Sequence, residues 1–361
     1  MVITSSSATA SADALGLELP TLRRAAAHSS DGSTVALVFA TADFHALVSN
    51  WACHAFDAGV HWFVIVAMDA ELNKLLQRRP GLVKHSLLLP RVRSGDVSLT
   101  KLNVIGERQR FGRAVLEHGF NVVHSDADAL WLRDPTPLFQ GGDVVAERIW
   151  GKPRSVVSAW GAAICTGFYF LRSTPAVREL ARTVQAEIAH KRTRQSSWQA
   201  SDQFYVNVIL HKHGVRWLSD EKMAGAADLS TRFHDPNITI GVATLPSGAI
   251  RLQMLPHRVV PRACPVLSPE EIRDVLVTRE ARKKRQSSEA KPRLLSGKAR
   301  LWSGLLDSAS VVHCFPPGGD PLPGEKRFIF MGHPRHTHAE LAFARRQGLW
   351  HVDDGNEGSC I

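Results

Sequence analysis

Short β-branched runs alternate with longer amphipathic stretches from Ser33 onward. That rhythm predicts βαβ units and a largely parallel sheet. The run Val35 to Ala40 is the first expected strand, followed by a helix over Asp43 to Ala58 with Asp43 as its N-cap. The strand "HWFVIVA", a helix over Asp69 to Gln77 and the strand "HSLLLP" come next. A helix over Lys101 to His118 is stopped by Gly119 before "NVVHS" turns extended again. Further strands are expected in "DVVAERI", "AAICTGFYFLRS" and "ASVVHCF", and "ITIGVATL" pairs with "AIRLQMLP" across a Pro-Ser-Gly turn. Pro175 opens a helix that runs to Lys191, and Ser201 caps another that ends at Gly214.

The 361 residues are 44% apolar and 22% charged, ordinary globular usage with enough chain for one large core or two modest ones. A net charge of +10 favours an anionic partner without choosing among nucleotide, nucleic acid, acidic glycan and membrane surface. Five cysteines without a CxxC pair indicate neither a zinc cluster nor a dense disulfide framework. No apolar run approaches the roughly 20 residues that cross a bilayer, and the Ser/Ala/Thr-rich start lacks a basic n-region. The expected organisation is a flexible tail over 1–32, a catalytic core over 33–262, a basic linker or insertion over 263–300, and a segment over 301–361 that closes the site.

Within the core, "NVVHSDADALWLRDP" places Asp126 and Asp128 just past the end of a strand. Open α/β sheets bind ligands beyond the carboxyl ends of their strands. Two carboxylates one residue apart can hold a hard divalent cation that leaves positions open for phosphate oxygens. Such a cation can act as a Lewis acid on a departing diphosphate.

The stretch "LEHGFNVVHSDADALWLRDPTPLF" resembles the signature of nucleotide-diphospho-sugar transferases, a family that includes plant and algal α-xylosyl-, arabinosyl- and α-galactosyltransferases. The resemblance covers about Val35 to Leu210 and implies a GT-A type, Rossmann-like single α/β domain with a mostly parallel central sheet. It implies Mn2+ or Mg2+ as cofactor, with Asp128 as a direct ligand and Asp126 contacting both the ribose and the metal. It further implies a UDP-sugar donor, a glycan or glycoprotein acceptor in cell-wall or related glycans, retention of anomeric configuration, and a Golgi lumen setting. Nucleic acid is not an expected partner.

Three more stretches extend the resemblance. "ICTGFYFLRST" matches the family's Asn-Ser/Thr-Gly strand at Thr166 and Gly167, which would lie beside the donor sugar, while Cys165 replaces the asparagine. "SDQFYVNVIL" places Asp202 against donor hydroxyls and Gln203 beside the anomeric carbon, as the catalytic pair. "VVHCFPPGGDPLPGEKRF" supplies His313 as a third metal ligand and Lys326 for the diphosphate. Arg110 is the diphosphate contact expected on the preceding helix, with Arg108 as the other choice.

Other constellations are weaker. His333, His336 and His338 read as an exposed loop, and the chain has no GxGxxG, Walker or GxSxG motif. A haloacid-dehalogenase-like phosphatase also places Asp-x-Asp after a strand, but its motif lies near the domain start and Leu130 stands where it carries Thr or Val. A non-catalytic glycan-binding protein on a decayed transferase fold is the remaining alternative.

Overall fold

The computed structural model describes residues 18–89, 101–149, 152–191, 201–218, 238–261, 309–313 and 349. Nine strands form one sheet: β1 (Thr34–Ala40), β2 (Phe63–Ala67), β3 (Ser86–Leu88), β4 (Asn121–Ser125), β6 (Val144–Ile149), β7 (Ala163–Leu171), β8 (Arg216–Trp217), β9 (Thr239–Leu245) and β10 (Gly248–Leu255). Their spatial order is β3-β2-β1-β4-β7-β6-β10-β9-β8. Seven of the nine share one direction, and only β7 and β9 are reversed. The mostly parallel α/β sheet expected from the alternation is therefore present.

Both faces of this sheet are covered, so its strands read as apolar runs. Val35 and Leu37 pack on one side with the helices Lys101–Glu117 (α5), Pro175–Lys191 (α7) and Asp202–Lys212 (α8). Ala36 and Val38 pack on the other with Trp51 of the helix His45–Asp57 (α2) and Leu72 of the helix Ala70–Gln77 (α3). A single residue step in β1 thus switches between two cores.

Some element boundaries differ from expectation. Asp43 does not cap the long helix; residues Ala42–Phe44 form a 3-10 turn and α2 starts at His45. Asp69 serves both neighbouring helix starts, accepting from Leu72 N at 2.7 Å and from Ala42 N at 2.9 Å. One carboxylate there satisfies amide donors that two separate caps would otherwise take.

The tail expected over 1–32 contains a helix, Leu19–Ala26 (α1), with Leu22, Ala25 and Ala26 buried. Pro20 in its first turn and a short apolar stripe suffice because the sheet supplies the packing partner. A further helix, Arg154–Trp160 (α6), ends on Gly161 in the left-handed conformation at φ 81°. The short Pro80–Val83 turn (α4) lies between α3 and β3.

The linker expected over 263–300 lies outside the described residues, as does most of 301–361. What is described of the latter has a definite role. β11 (Val311–Val312) pairs antiparallel with β5 (Leu130–Trp131), matching Val311 to Trp131 and Val312 to Leu130. Leu349 O accepts from Asn50 Nδ2 at 3.0 Å, fixing a later part of the chain to α2. No helix among the described residues is long and apolar enough to cross a membrane.

Candidate active site

β4 ends at Ser125, and the chain must turn there because Ala129 N donates back to Asp126 O at 3.0 Å. Two indoles hold the base of this turn. Trp51 Nε1 donates to Ser125 Oγ at 3.1 Å, and Trp131 Nε1 donates to the same oxygen at 3.2 Å. Buried indole N–H groups need partners, so the aromatic floor also fixes the loop. Asp126 N donates to Gly167 O at 2.6 Å, which ties the loop to the reversed strand β7.

The β5–β11 pairing then delivers His313. Ligand atoms of Asp126, Asp128 and His313 lie within 4.8 Å of one another, and His313 Nε2 is 3.3 Å from Asp128 Oδ1. Two carboxylates and an imidazole are a donor set suited to manganese or magnesium with phosphate oxygens filling the remaining positions. Gly167 makes room for His313: a Cβ there would fall 2.1 Å from His313 Cε1 and 2.8 Å from Asp126 Oδ2. The sequence expectation of a glycine at this strand position has a steric cause.

Arg108 links this set to the other half of the site. Its NH1 donates to Asp126 Oδ1 at 3.1 Å, and its NH2 contacts Asp202 Oδ2. Burial disfavours the Arg108 charge, but Asp202 and Asp126 outweigh it and raise the group above its ordinary range. Burial would raise Asp126, yet the hydrogen bond from His124 and the Arg108 charge hold it well below the usual carboxylate range. For Asp202, burial is likewise overcome by Arg108, and the carboxyl is lowered. His124 is lowered by burial and by Arg108, so its neutral ring donates from Nε2 to Asp126 Oδ1 at 3.2 Å.

Asp202 opens α8 and is 2% exposed. Gln109 Nε2 donates to its Oδ2 at 2.9 Å, while Thr166 Oγ1 at 3.2 Å and Gln203 N at 2.8 Å donate to its Oδ1. Gln203 is half-buried, and its Nε2 donates to Lys152 O at 3.4 Å. α8 is locked to β7 by Asn207, which accepts from Ile164 N and donates to Ile164 O, both at 2.8 Å. This bracket sets the height of Asp202 and Gln203 above the strand.

Asp126, Asp128, Thr166, Gly167, Asp202 and His313 therefore converge, with Gln203 at the margin. Arg110 does not join them; it forms an ion pair with Glu107 on the same helix, and Arg108 occupies the position between the aspartates. Lys326 lies outside the described residues. Cys165 is a buried, reduced thiol at 2% exposure, its ligand atom within 4.8 Å of Glu147 and His313. Sequence reading took Asn207 only as the asparagine of the "SDQFYVNVIL" motif and missed Gln109, His124 and Glu147. His124 and Glu147 each carried a signal, a polar side chain inside the apolar strands "NVVHS" and "VVAERI".

The chain is 28% identical over 166 residues to UDP-D-xylose:L-fucose alpha-1,3-D-xylosyltransferase 3 of Arabidopsis thaliana, a match covering 41% of this chain and 43% of that protein. The chain thus spans less than half the length of that relative. Among solved structures, the galactosyltransferase LgtC with donor and acceptor sugar analogs is 11% identical at a TM-score of 0.40, over 86% of this chain and 96% of that one. GlyE of Streptococcus pneumoniae TIGR4 in its apo form is 11% identical at a TM-score of 0.38, over 88% and 63% respectively. The profile of nucleotide-diphospho-sugar transferases matches residues 58–290, which include Asp126, Asp128, Asp202 and Gln203, and the chain belongs to that family.

Proposed function

We propose that this protein is a metal-dependent glycosyltransferase of the GT-A type, moving a sugar from a UDP-sugar to a hydroxyl of a glycan or glycoprotein with retention. The observation that carries the reading is the convergence of Asp126, Asp128 and His313 beside the Arg108–Asp202 pair. Asp126, Asp128 and His313 would hold Mn2+ or Mg2+. When bound, that cation supplies Lewis-acid neutralisation of the charge that builds on the departing diphosphate.

The protein's own residues do the rest. Asp126, kept ionised by Arg108 and His124, presents a fixed carboxylate to the ribose side of the donor. Arg108 keeps a positive charge between two carboxylates, oriented before any ligand arrives. Asp202 accepts donor hydroxyls through a carboxylate whose position four donors define. Gln203 faces the oxocarbenium-like sugar from the first turn of α8, and the acceptor hydroxyl attacks from the leaving-group side. Thr166 and Gly167 line the sugar's edge of β7.

The xylosyl donor named for the Arabidopsis relative makes UDP-xylose the first donor to try, with other pentoses and galactose after it. A Golgi lumen setting accords with glycan acceptors. Calorimetric titration of UDP and UDP-sugars, first with manganese and then with EDTA, tests the reading. Manganese-dependent binding supports it; equal binding in EDTA removes the metal, and no binding in either buffer overturns the transferase site.

A further inference from the structure

His313 stands between two carboxylates. Its Nε2 lies 3.3 Å from Asp128 Oδ1, and its Nδ1 lies 2.7 Å from Glu147 Oε1. Glu147 and His313 are both fully buried, at 0% exposure. A neutral imidazole carries one ring proton, and a buried carboxylate at hydrogen-bond distance is the partner that accepts it. With the proton on Nδ1, the lone pair of Nε2 points to the Asp128 side.

The ring therefore has two faces of different chemistry. Nε2 faces Asp128 and Nδ1 faces Glu147; His313 belongs both to a set with Asp126 and Asp128 and to a set with Glu147 and Cys165, the ligand atoms of each set lying within 4.8 Å of one another. The first set suits a hard divalent cation, whereas an oxygen, sulfur and nitrogen set suits a softer one such as zinc. An ion on the inner set would need Nδ1 as a ligand, and the hydrogen bond to Glu147 occupies that nitrogen.

We propose that Glu147 is a positioning residue that keeps the proton on Nδ1 of His313, so that the ring offers Nε2 to a divalent cation beside Asp126 and Asp128 and withholds Nδ1 from the Cys165 side. This rests on the metal-dependent reading above. Glu147 comes from β6, a strand that contributes nothing else to the ligand set. Partners of this kind typically control metal affinity by about 10- to 100-fold.

The test uses the full chain with UDP present. Manganese affinity is measured for wild type, Glu147→Gln and Cys165→Ser, with thermal unfolding of each as a check on the fold. Glu147→Gln is expected to weaken manganese by about ten-fold or more, and Cys165→Ser to leave it within about two-fold. If wild type binds manganese and a folded Glu147→Gln matches it, this inference falls and the metal-dependent reading stands. If wild type binds no divalent cation with UDP, both fall.

Should Glu147→Gln fail to fold, wild type alone decides. Cadmium NMR on protein with isotopically labelled histidine is expected to show coupling to Nε2 of His313 and a proton on Nδ1. Coupling to Nδ1, or a cadmium shift typical of thiolate ligation that Cys165→Ser abolishes, puts the ion on the inner set and overturns the proposal.

Discussion

Arg108 and Asp202 form a part-buried ion pair that joins α5 to the first turn of α8, and the same guanidinium reaches Asp126 in the Asp-x-Asp loop. Asp126, partly buried, and Asp202, buried, would repel one another without it, since both are held ionised. Removing one partner of a buried charge network commonly costs about 3–5 kcal/mol.

Arg108→Met is accordingly expected to lower unfolding stability by about 3 kcal/mol and to abolish measurable UDP affinity, whereas Arg110→Ala, which releases only the Glu107 pair, leaves UDP affinity nearly unchanged. Denaturant titration and calorimetry of the two variants check this. Equal losses in both would return the diphosphate contact to Arg110.

Asp128→Asn is expected to abolish metal-dependent turnover with the fold intact, while Asp202→Ala loses turnover and retains UDP binding. Product assays beside nucleotide calorimetry separate the two. Full activity of Asp128→Asn in chelator would take the cation out of the mechanism.

Gly167→Ala inserts a methyl group where His313 Cε1 would be 2.1 Å away, far inside van der Waals contact. The ring must leave its slot, and manganese affinity should fall at least about ten-fold while the sheet persists. Circular dichroism with a manganese titration reads both; undiminished affinity would mean that His313 is not a ligand.

A stability switch lies away from the site. His85 is stacked on Phe63 with ring centroids 4.5 Å apart, and burial pushes it down to about 4 from its ordinary 6.5. The unfolded chain takes up this proton near pH 6.5 and the folded one only near pH 4, so the contribution is full above 6.5 and declines as pH falls toward 4. His85→Phe should flatten that window by up to about 3 kcal/mol, seen as a smaller drop in denaturant midpoint between pH 7.5 and 4. Parallel profiles for the two proteins would contradict it.

Much of this arrangement was legible because strands buried on both faces spell themselves out, as "VALVFA", "FVIVA" and "NVVHS" do. The Asp-x-Asp loop and the Asp202–Gln203 helix start were legible as motifs. The choice between Arg108 and Arg110 was not, because two positions on a helix face roughly opposite sides and both are basic. The strand in "ASVVHCF" was legible as an apolar run, but its partner, the two-residue β5, was hidden because two residues are too few for any periodicity. The helix Leu19–Ala26 exists only against a sheet that its own residues do not announce.

The pairing of β11 with β5 also bears on biogenesis. His313 lies about half of the chain after Asp128, so synthesis passes through an interval in which the sheet can assemble with its carboxylates in place but no imidazole beside them. On the metal-dependent reading proposed above, capture of the nucleotide would be deferred until the late strand docks. A prematurely terminated product ending before Val311 would then share the sheet yet lack His313, and nucleotide retention would become a readout of completed assembly.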